Sequence, residues 1–107
     1  MSKEPGDIAE EADENCVYIG KKPTKGYVFA VQTQAQKQIE IRIKARGRNI
    51  SKAVDVSQIA LDRFLEGWIL KGVSIGTEIR PAREEDETDT EPRPERVSFI
   101  EIVINKK

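Results

Sequence analysis

A strict alternation of hydrophobic and charged residues over 39–45, with the sequence IEIRIKA, is the clearest pattern in this chain. Ile39, Ile41 and Ile43 occupy every second position, and charged residues lie between them. Because successive side chains of a strand point to opposite faces, this period of two predicts a β-strand with one buried face. A shorter hydrophobic run over 16–20, CVYIG, ends in a glycine and predicts an earlier strand.

The segment between these two strands has the features of a helix over 24–38. Pro23 suits the first helical turn, because the amide proton that proline lacks would have no partner there. Three hydrophobic residues at helical spacing, with a tyrosine beside them, are expected to form its buried side: Val28, Val31, Ala35 and Tyr27.

A second helix is predicted over 50–66, where hydrophobic residues recur at helical spacing. These residues are Ile50, Ala53, Val54, Ile59, Ala60, Leu61, Phe64 and Leu65. Gly67 ends the run, and Asn49 or Ser51 is expected to cap its start by accepting a hydrogen bond from an unpaired backbone amide.

Two more strands are predicted over 70–81 and 96–106. The segment between them, 82–95, is acidic and interrupted by prolines, which predicts a mobile hairpin tip carried by an extended arm. Residues 1–14 are also acidic and contain few large hydrophobic side chains, which predicts a disordered tail.

The predicted order of elements is therefore β-α-β-α-β-β. This order favours an α/β sandwich of the α+β type, in which a four-stranded mixed sheet carries two helices on one face and the last two strands form a hairpin arm. With 107 residues, we expect one folded domain over 15–107, preceded by the tail.

Charge is divided unevenly along the chain, although 18 basic and 19 acidic residues nearly cancel in total. The tail over 1–14 has a net charge of −5, residues 80–96 have −3, and the remaining residues have +7. Such segregation creates a surface field that the net charge does not report. The sequence therefore predicts a basic body with two acidic extensions.

The basic residues concentrate at the two junctions where a predicted strand leads into a predicted helix. The candidate anion-binding residues are Lys21, Lys22, Lys25, Arg46, Arg48, Asn49 and Lys52. If the two strands are parallel neighbours, both junctions lie at one edge of the sheet, where helix N-termini attract phosphates and Gly20 and Gly47 permit close backbone approach. The alternative is an ordinary solvated basic surface.

Several classes of function are disfavoured. The chain has no histidine, which removes the commonest general base and metal ligand, so we expect neither a metal nor a cofactor. An enzyme built on carboxylates such as Asp55 and Asp62 stays a minor alternative. The lone Cys16, the lack of long apolar runs and the polar N-terminus indicate an intracellular protein without membrane segments or a signal peptide.

The segments YIGKKPTKGYV and IEIRIKARGRNISKAVDVSQIALDRF, followed by a closing RVSFIEIVINKK, resemble the Alba family over about residues 15–107. The resemblance implies an archaeal chromatin protein: a cytoplasmic, nucleoid-associated homodimer that binds and compacts double-stranded DNA, and often binds RNA, with little sequence preference. It also implies that Lys21 and Lys22 form a central basic patch and that Arg46 and Arg48 contact the nucleic-acid backbone.

The resemblance further implies that Lys21 is an acetylation site and that Phe64 mediates contacts between dimers, although core packing is an equal alternative for Phe64. The resemblance implies that the hairpin arms reach along a groove. Arg83 and Arg93 flank the acidic run and are predicted to contact DNA at the base of the arm. The acidic residues at the tip depart from the expected basic or neutral arm. An RNA-binding scaffold subunit of an RNA-processing ribonucleoprotein is the alternative function.

Overall fold

The computed structural model describes residues 15–80 and 95–107. The predicted tail, Arg83, Arg93 and all of the predicted hairpin tip except Glu95 lie outside the described residues. Glu95 itself is the first residue of a strand rather than part of the tip.

The described residues form the predicted succession of elements. They are β1 (Cys16–Tyr18), α1 (Thr24–Ala35), β2 (Glu40–Arg46), a 3-10 turn (Gly47–Asn49), α2 (Ile50–Ile59), a π-helical turn (Ala60–Phe64), β3 (Trp68–Arg80) and β4 (Glu95–Lys106). The four strands form one sheet in the order β1-β2-β4-β3. β1 pairs with β2 in parallel, and both other pairings are antiparallel, which confirms the predicted mixed sheet with two helices.

The hydrophobic core lies between the helices and one face of the sheet. Ile41 and Ile43 of β2 are fully buried and lie opposite Ile104 and Ile102 of β4. The helices complete the core with Val28, Val31, Ala53, Val56 and Ala60. Ile39 was expected in the same buried row, but it is 75% exposed because β2 begins only at Glu40.

Charged residues cover the opposite face of the sheet. Arg42 donates hydrogen bonds to Glu101 (3.0 Å) and Glu40 (3.3 Å), and Lys71 donates to Glu40 (3.0 Å). The hydrogen bond from Lys71, assisted by the nearby positive charges, lowers the pKa of Glu40, and the hydrogen bond to Glu101 raises the pKa of Arg42. Paired charges therefore lie on this face around Arg42.

The second helix differs from the continuous helix predicted over 50–66. Its last turn widens, and the backbone amide of Leu65 donates to the carbonyl of Ala60 (2.9 Å), five residues earlier. In a regular α-helix Phe64, four residues after the buried Ala60, would face the core. The wide turn instead places Leu65 there, with 7% exposure, and leaves Phe64 50% exposed.

The predicted side-chain cap of this helix is wrong. Asn49 occupies the capping position, but neither its side chain nor any other caps the helix. Asn49 has φ −87° and ψ 0°, whereas a capping side chain requires extended backbone at this position. The chain enters α2 through the 3-10 turn, which begins at Gly47 with a φ of 56° that favours glycine.

Candidate functional site

The two basic junctions lie at the same edge of the sheet. Tyr18, the last residue of β1, pairs with Lys44 near the end of the parallel strand β2. The loop that follows β1 and the turn that follows β2 therefore leave the sheet side by side. We call the exposed basic residues of these junctions the basic edge: Lys21, Lys22, Lys25, Arg46 and Arg48.

The hairpin of β3 and β4 extends beyond this same edge. Arg46, the last residue of β2, pairs with Phe99, and the β3–β4 pairing continues from there to the pair Arg80 and Glu95. The hairpin thus projects past β2, as the sequence predicted. Arg46 joins the two parts of the site, because its guanidinium donates to a Glu78 carboxylate oxygen of β3 at 2.9 Å.

The loop that carries Lys21 and Lys22 is held from two sides. The Lys52 ammonium donates to the carbonyl oxygens of Gly20 (2.8 Å) and Lys22 (2.7 Å). The Tyr27 hydroxyl accepts from the backbone amides of Gly20 (2.9 Å) and Lys22 (3.1 Å). We call Lys52 and Tyr27 the loop clamp, and together they fix the backbone from which both lysines project.

The parts of the loop clamp also contact each other. The Lys52 nitrogen lies 5.7 Å from the centre of the Tyr27 ring, within the range of a cation–π interaction. A Cβ at Gly20 would lie 3.2 Å from the Tyr27 hydroxyl, so this close approach favours glycine there. The sequence placed Lys52 among the anion-binding residues, and the structure adds a positioning role that its residue type did not indicate.

The loop clamp predicts slow amide exchange at Gly20 and Lys22. Tyr27→Phe removes the shared acceptor, and since a hydrogen bond contributes about 1 kcal/mol net, exchange at both amides should rise about fivefold. Amide exchange measured by NMR checks this, with the amide of the buried Ile43 as the internal control. Equal exchange in parent and variant would contradict the clamp.

Two exposed aromatic rings lie on the helical layer, in a groove that Lys25 of the basic edge also lines. Phe64 and Phe29, which is 68% exposed, line a groove of about 710 Å³ together with Ile59 and Arg63. Sequence reasoning missed Phe29. Its position could have been predicted, because Phe29 lies beside the predicted buried side of the first helix and so faces away from the core.

A sequence model of the Alba family matches residues 15–74. The chain belongs to the Alba family. It is 44% identical over 95 residues to the DNA/RNA-binding protein Alba 1 of Archaeoglobus fulgidus, covering 88% of this chain and 98% of that protein. It is 41% identical over 96 residues to the DNA/RNA-binding protein Alba of Methanothrix thermoacetophila, covering 89% and 99%.

Solved structures agree with this assignment. Alba from Thermoplasma volcanium superposes with a TM-score of 0.73 at 36% identity, covering 86% of this chain and all of that one. Alba1 from Trypanosoma brucei superposes with a TM-score of 0.63 at 20% identity, covering 86% and 68%, which is a likeness of fold alone.

Metal-binding clusters and membrane-spanning helices are both absent from residues 15–80 and 95–107 of the Alba chain. No group of three or more acidic or cysteine side chains in this part of the protein could hold a metal ion. None of the helices described there is both long and apolar enough to cross a membrane.

Proposed function

We propose that this Alba protein binds double-stranded DNA, and also RNA, with little sequence preference and without catalysing a reaction. The observation that carries the proposal is the parallel pairing of β1 with β2, because it brings cations from separate parts of the chain to one edge. The names of the two archaeal relatives support the same ligand class. The protein would act in the cytoplasm, on the chromosome, where it compacts DNA.

Phosphates are the groups recognised. The guanidinium forks of Arg46 and Arg48 suit phosphate oxygens, whereas Lys21 and Lys22 act as mobile point charges. Lys21, Lys22, Arg46 and Arg48 all lie before the helices and not along a helix face, so base sequence should contribute little. Acetylation of Lys21 would remove one of these charges and weaken binding. Lys25, Asn49, Lys52, Arg83 and Arg93 stay predicted contacts of the same backbone.

The functional unit we propose is a homodimer formed through β3. This strand lies at an edge of the sheet, and its pairing with β4 aligns Val73 with Ile102 and Ile75 with Ile100. Its side chains on that face therefore continue the core, yet the helices do not cover them. We call the exposed aliphatic side chains on this face the β3 apolar row: Leu70 (46% exposed), Val73 (53%), Ile75 (77%) and Ile79 (63%).

A second copy of the chain is the occupant that the β3 apolar row favours. A row of aliphatic side chains at the margin of a core, with Thr77 between the last two, resembles a core divided between two subunits, as in obligate dimers. Two copies would double the basic edge. Contacts between such dimers on DNA would use Phe64, which the widened helical turn leaves exposed, with Phe29 beside it in the same groove.

The salt dependence of binding tests the proposed function. If a dimer neutralises about 6–8 phosphates, the logarithm of the association constant should fall with the logarithm of salt concentration at a slope of about −5 to −7. Mobility shifts at several salt concentrations measure this slope on a DNA duplex and on a structured RNA of equal length. Binding to duplex that ignores salt would refute the proposal, and binding to RNA alone would favour the ribonucleoprotein alternative.

A further inference from the structure

The sheet face opposite the helices contains a cavity of about 460 Å³ next to the basic edge. Lys44 lies between the buried Ile43 and Ala45 on β2, so its side chain points away from the core and toward this face. The residues that line the cavity from this face include Tyr18, Lys44, Arg46, Glu78, Phe99 and Glu101. We call it the open-face cavity. It combines aromatic rings with charged groups beside the proposed phosphate contacts.

Phe99 lies in a defined position in the open-face cavity. It pairs with Gly76 on one side and Arg46 on the other. Two of its ring atoms lie 2.6 and 2.8 Å from the point where a Cβ of Gly76 would be, so the ring covers the glycine and any side chain there would displace it. The ring is only half-buried and forms part of the lining of the cavity.

Four of the charged residues that line the open-face cavity form ion pairs. Arg46 pairs with Glu78 at 2.9 Å, and Glu101 pairs with Arg42 at 3.0 Å and with Lys44 at 3.9 Å. Carboxylates repel phosphate, but they accept hydrogen bonds from amino groups. The ion pairs of both glutamates use Oε2, and each carboxylate has a second oxygen that can accept.

We propose that the open-face cavity takes one unpaired nucleobase that carries an exocyclic amino group, stacked on the Phe99 ring. The amino group of an adenine, cytosine or guanine would donate to Glu101 or Glu78, and the neighbouring phosphate would lie on the basic edge, which Arg46 shares with the cavity. This phosphate anchoring rests on the proposed function. Bases within a duplex are already stacked and cannot enter, so the cavity distinguishes single strands from duplexes.

The test compares two single strands with equal charge. A strand of twelve adenosines and a strand of twelve abasic sugar-phosphates present the same phosphates, but only the first presents bases. The parent protein should bind the adenosine strand about tenfold more tightly, since stacking of one base contributes about that factor. Phe99→Leu should abolish this difference and leave duplex affinity unchanged, whereas Phe99→Tyr, which keeps the ring, should retain it.

Two further measurements use the parent protein, so they test the inference even if Phe99→Leu does not fold. A 2-aminopurine in the adenosine strand should lose fluorescence on binding to the parent, as it does when stacked on a ring. Adenosine monophosphate should compete at least about tenfold more weakly than the strand, because it lacks the further phosphates. Equal binding of both strands by the parent, no quenching, or equal competition by the mononucleotide would overturn the inference. If the parent protein does not bind duplex DNA, that result contradicts the proposed function instead.

Discussion

Replacing Lys21 and Lys22 together by alanine should weaken duplex DNA binding roughly a thousandfold or more at about 0.1 M salt and make the salt slope shallower by about three to four. The reason is the number of charges. The proposed dimer would lose four cations from the basic edge, and the slope becomes shallower by about 0.9 for every phosphate that is no longer neutralised. Fluorescence anisotropy with a labelled duplex at four salt concentrations measures both quantities.

The C-terminal lysines provide a matched control for this double substitution. Lys106 and Lys107 are exposed, and Lys106 lies beside the start of β2, at the end of the sheet opposite Arg46. Lys106→Ala with Lys107→Ala removes the same charge from the chain, yet it should change the slope by less than about one. If both double variants weaken binding equally, overall charge matters and the basic edge is not the site.

Replacing Val73 and Ile75 together by lysine should convert the protein to a monomer and weaken duplex binding about a hundredfold. In a dimer, binding of one basic edge holds the other basic edge close to the DNA and so raises its effective concentration, and a monomer loses this gain. Both side chains are already more than half exposed in the single chain, so the fold itself should tolerate the change. Like charges facing each other across the β3 apolar row would oppose association. Light scattering after size-exclusion chromatography gives the mass, and anisotropy gives the affinity.

The sign of the added charge separates loss of the dimer from a direct effect of charge on DNA binding. Lysine adds positive charge, which by itself would strengthen binding to DNA, so weaker binding must come from the loss of the dimer. Ile69→Lys is the control, because this residue precedes Leu70 on β3 and so points to the other face of the sheet. It should leave the mass and the affinity near the parent values. A parent protein that is monomeric at micromolar concentration would contradict the proposed dimer directly.

Periodicity in the sequence was sufficient for the type and order of the elements along the chain, whereas the order of the strands in the sheet came from the structure. The alternation over 39–45 required a strand with one buried face, and the structure buries Ile41 and Ile43 fully. The junction residues Lys21 and Arg46 were also identifiable, because basic residues without neighbouring acids mark their positions in the sequence. These features are local, since the period of hydrophobic residues and the identity of nearby charges do not depend on distant contacts.

Contacts between distant parts of the chain decided the rest. From the sequence, Lys52 is predicted to contact phosphate. In the structure its ammonium donates to carbonyls 30 and 32 residues away, and no local sequence pattern predicts such a contact. Phe64 and Leu65 are neighbours, and from the sequence either could be buried in the core. The widened helical turn buries Leu65 and leaves Phe64 exposed.

The sequence by itself therefore determined the elements of this protein and where its positive charge is concentrated. The tertiary structure decided how those charges are used: which are exposed on the basic edge, which are paired across the sheet and which hold a loop in place. The physical reason is that a side chain's solvation and hydrogen-bond partners depend on what the fold brings beside it, whereas its periodicity depends only on its neighbours in the chain.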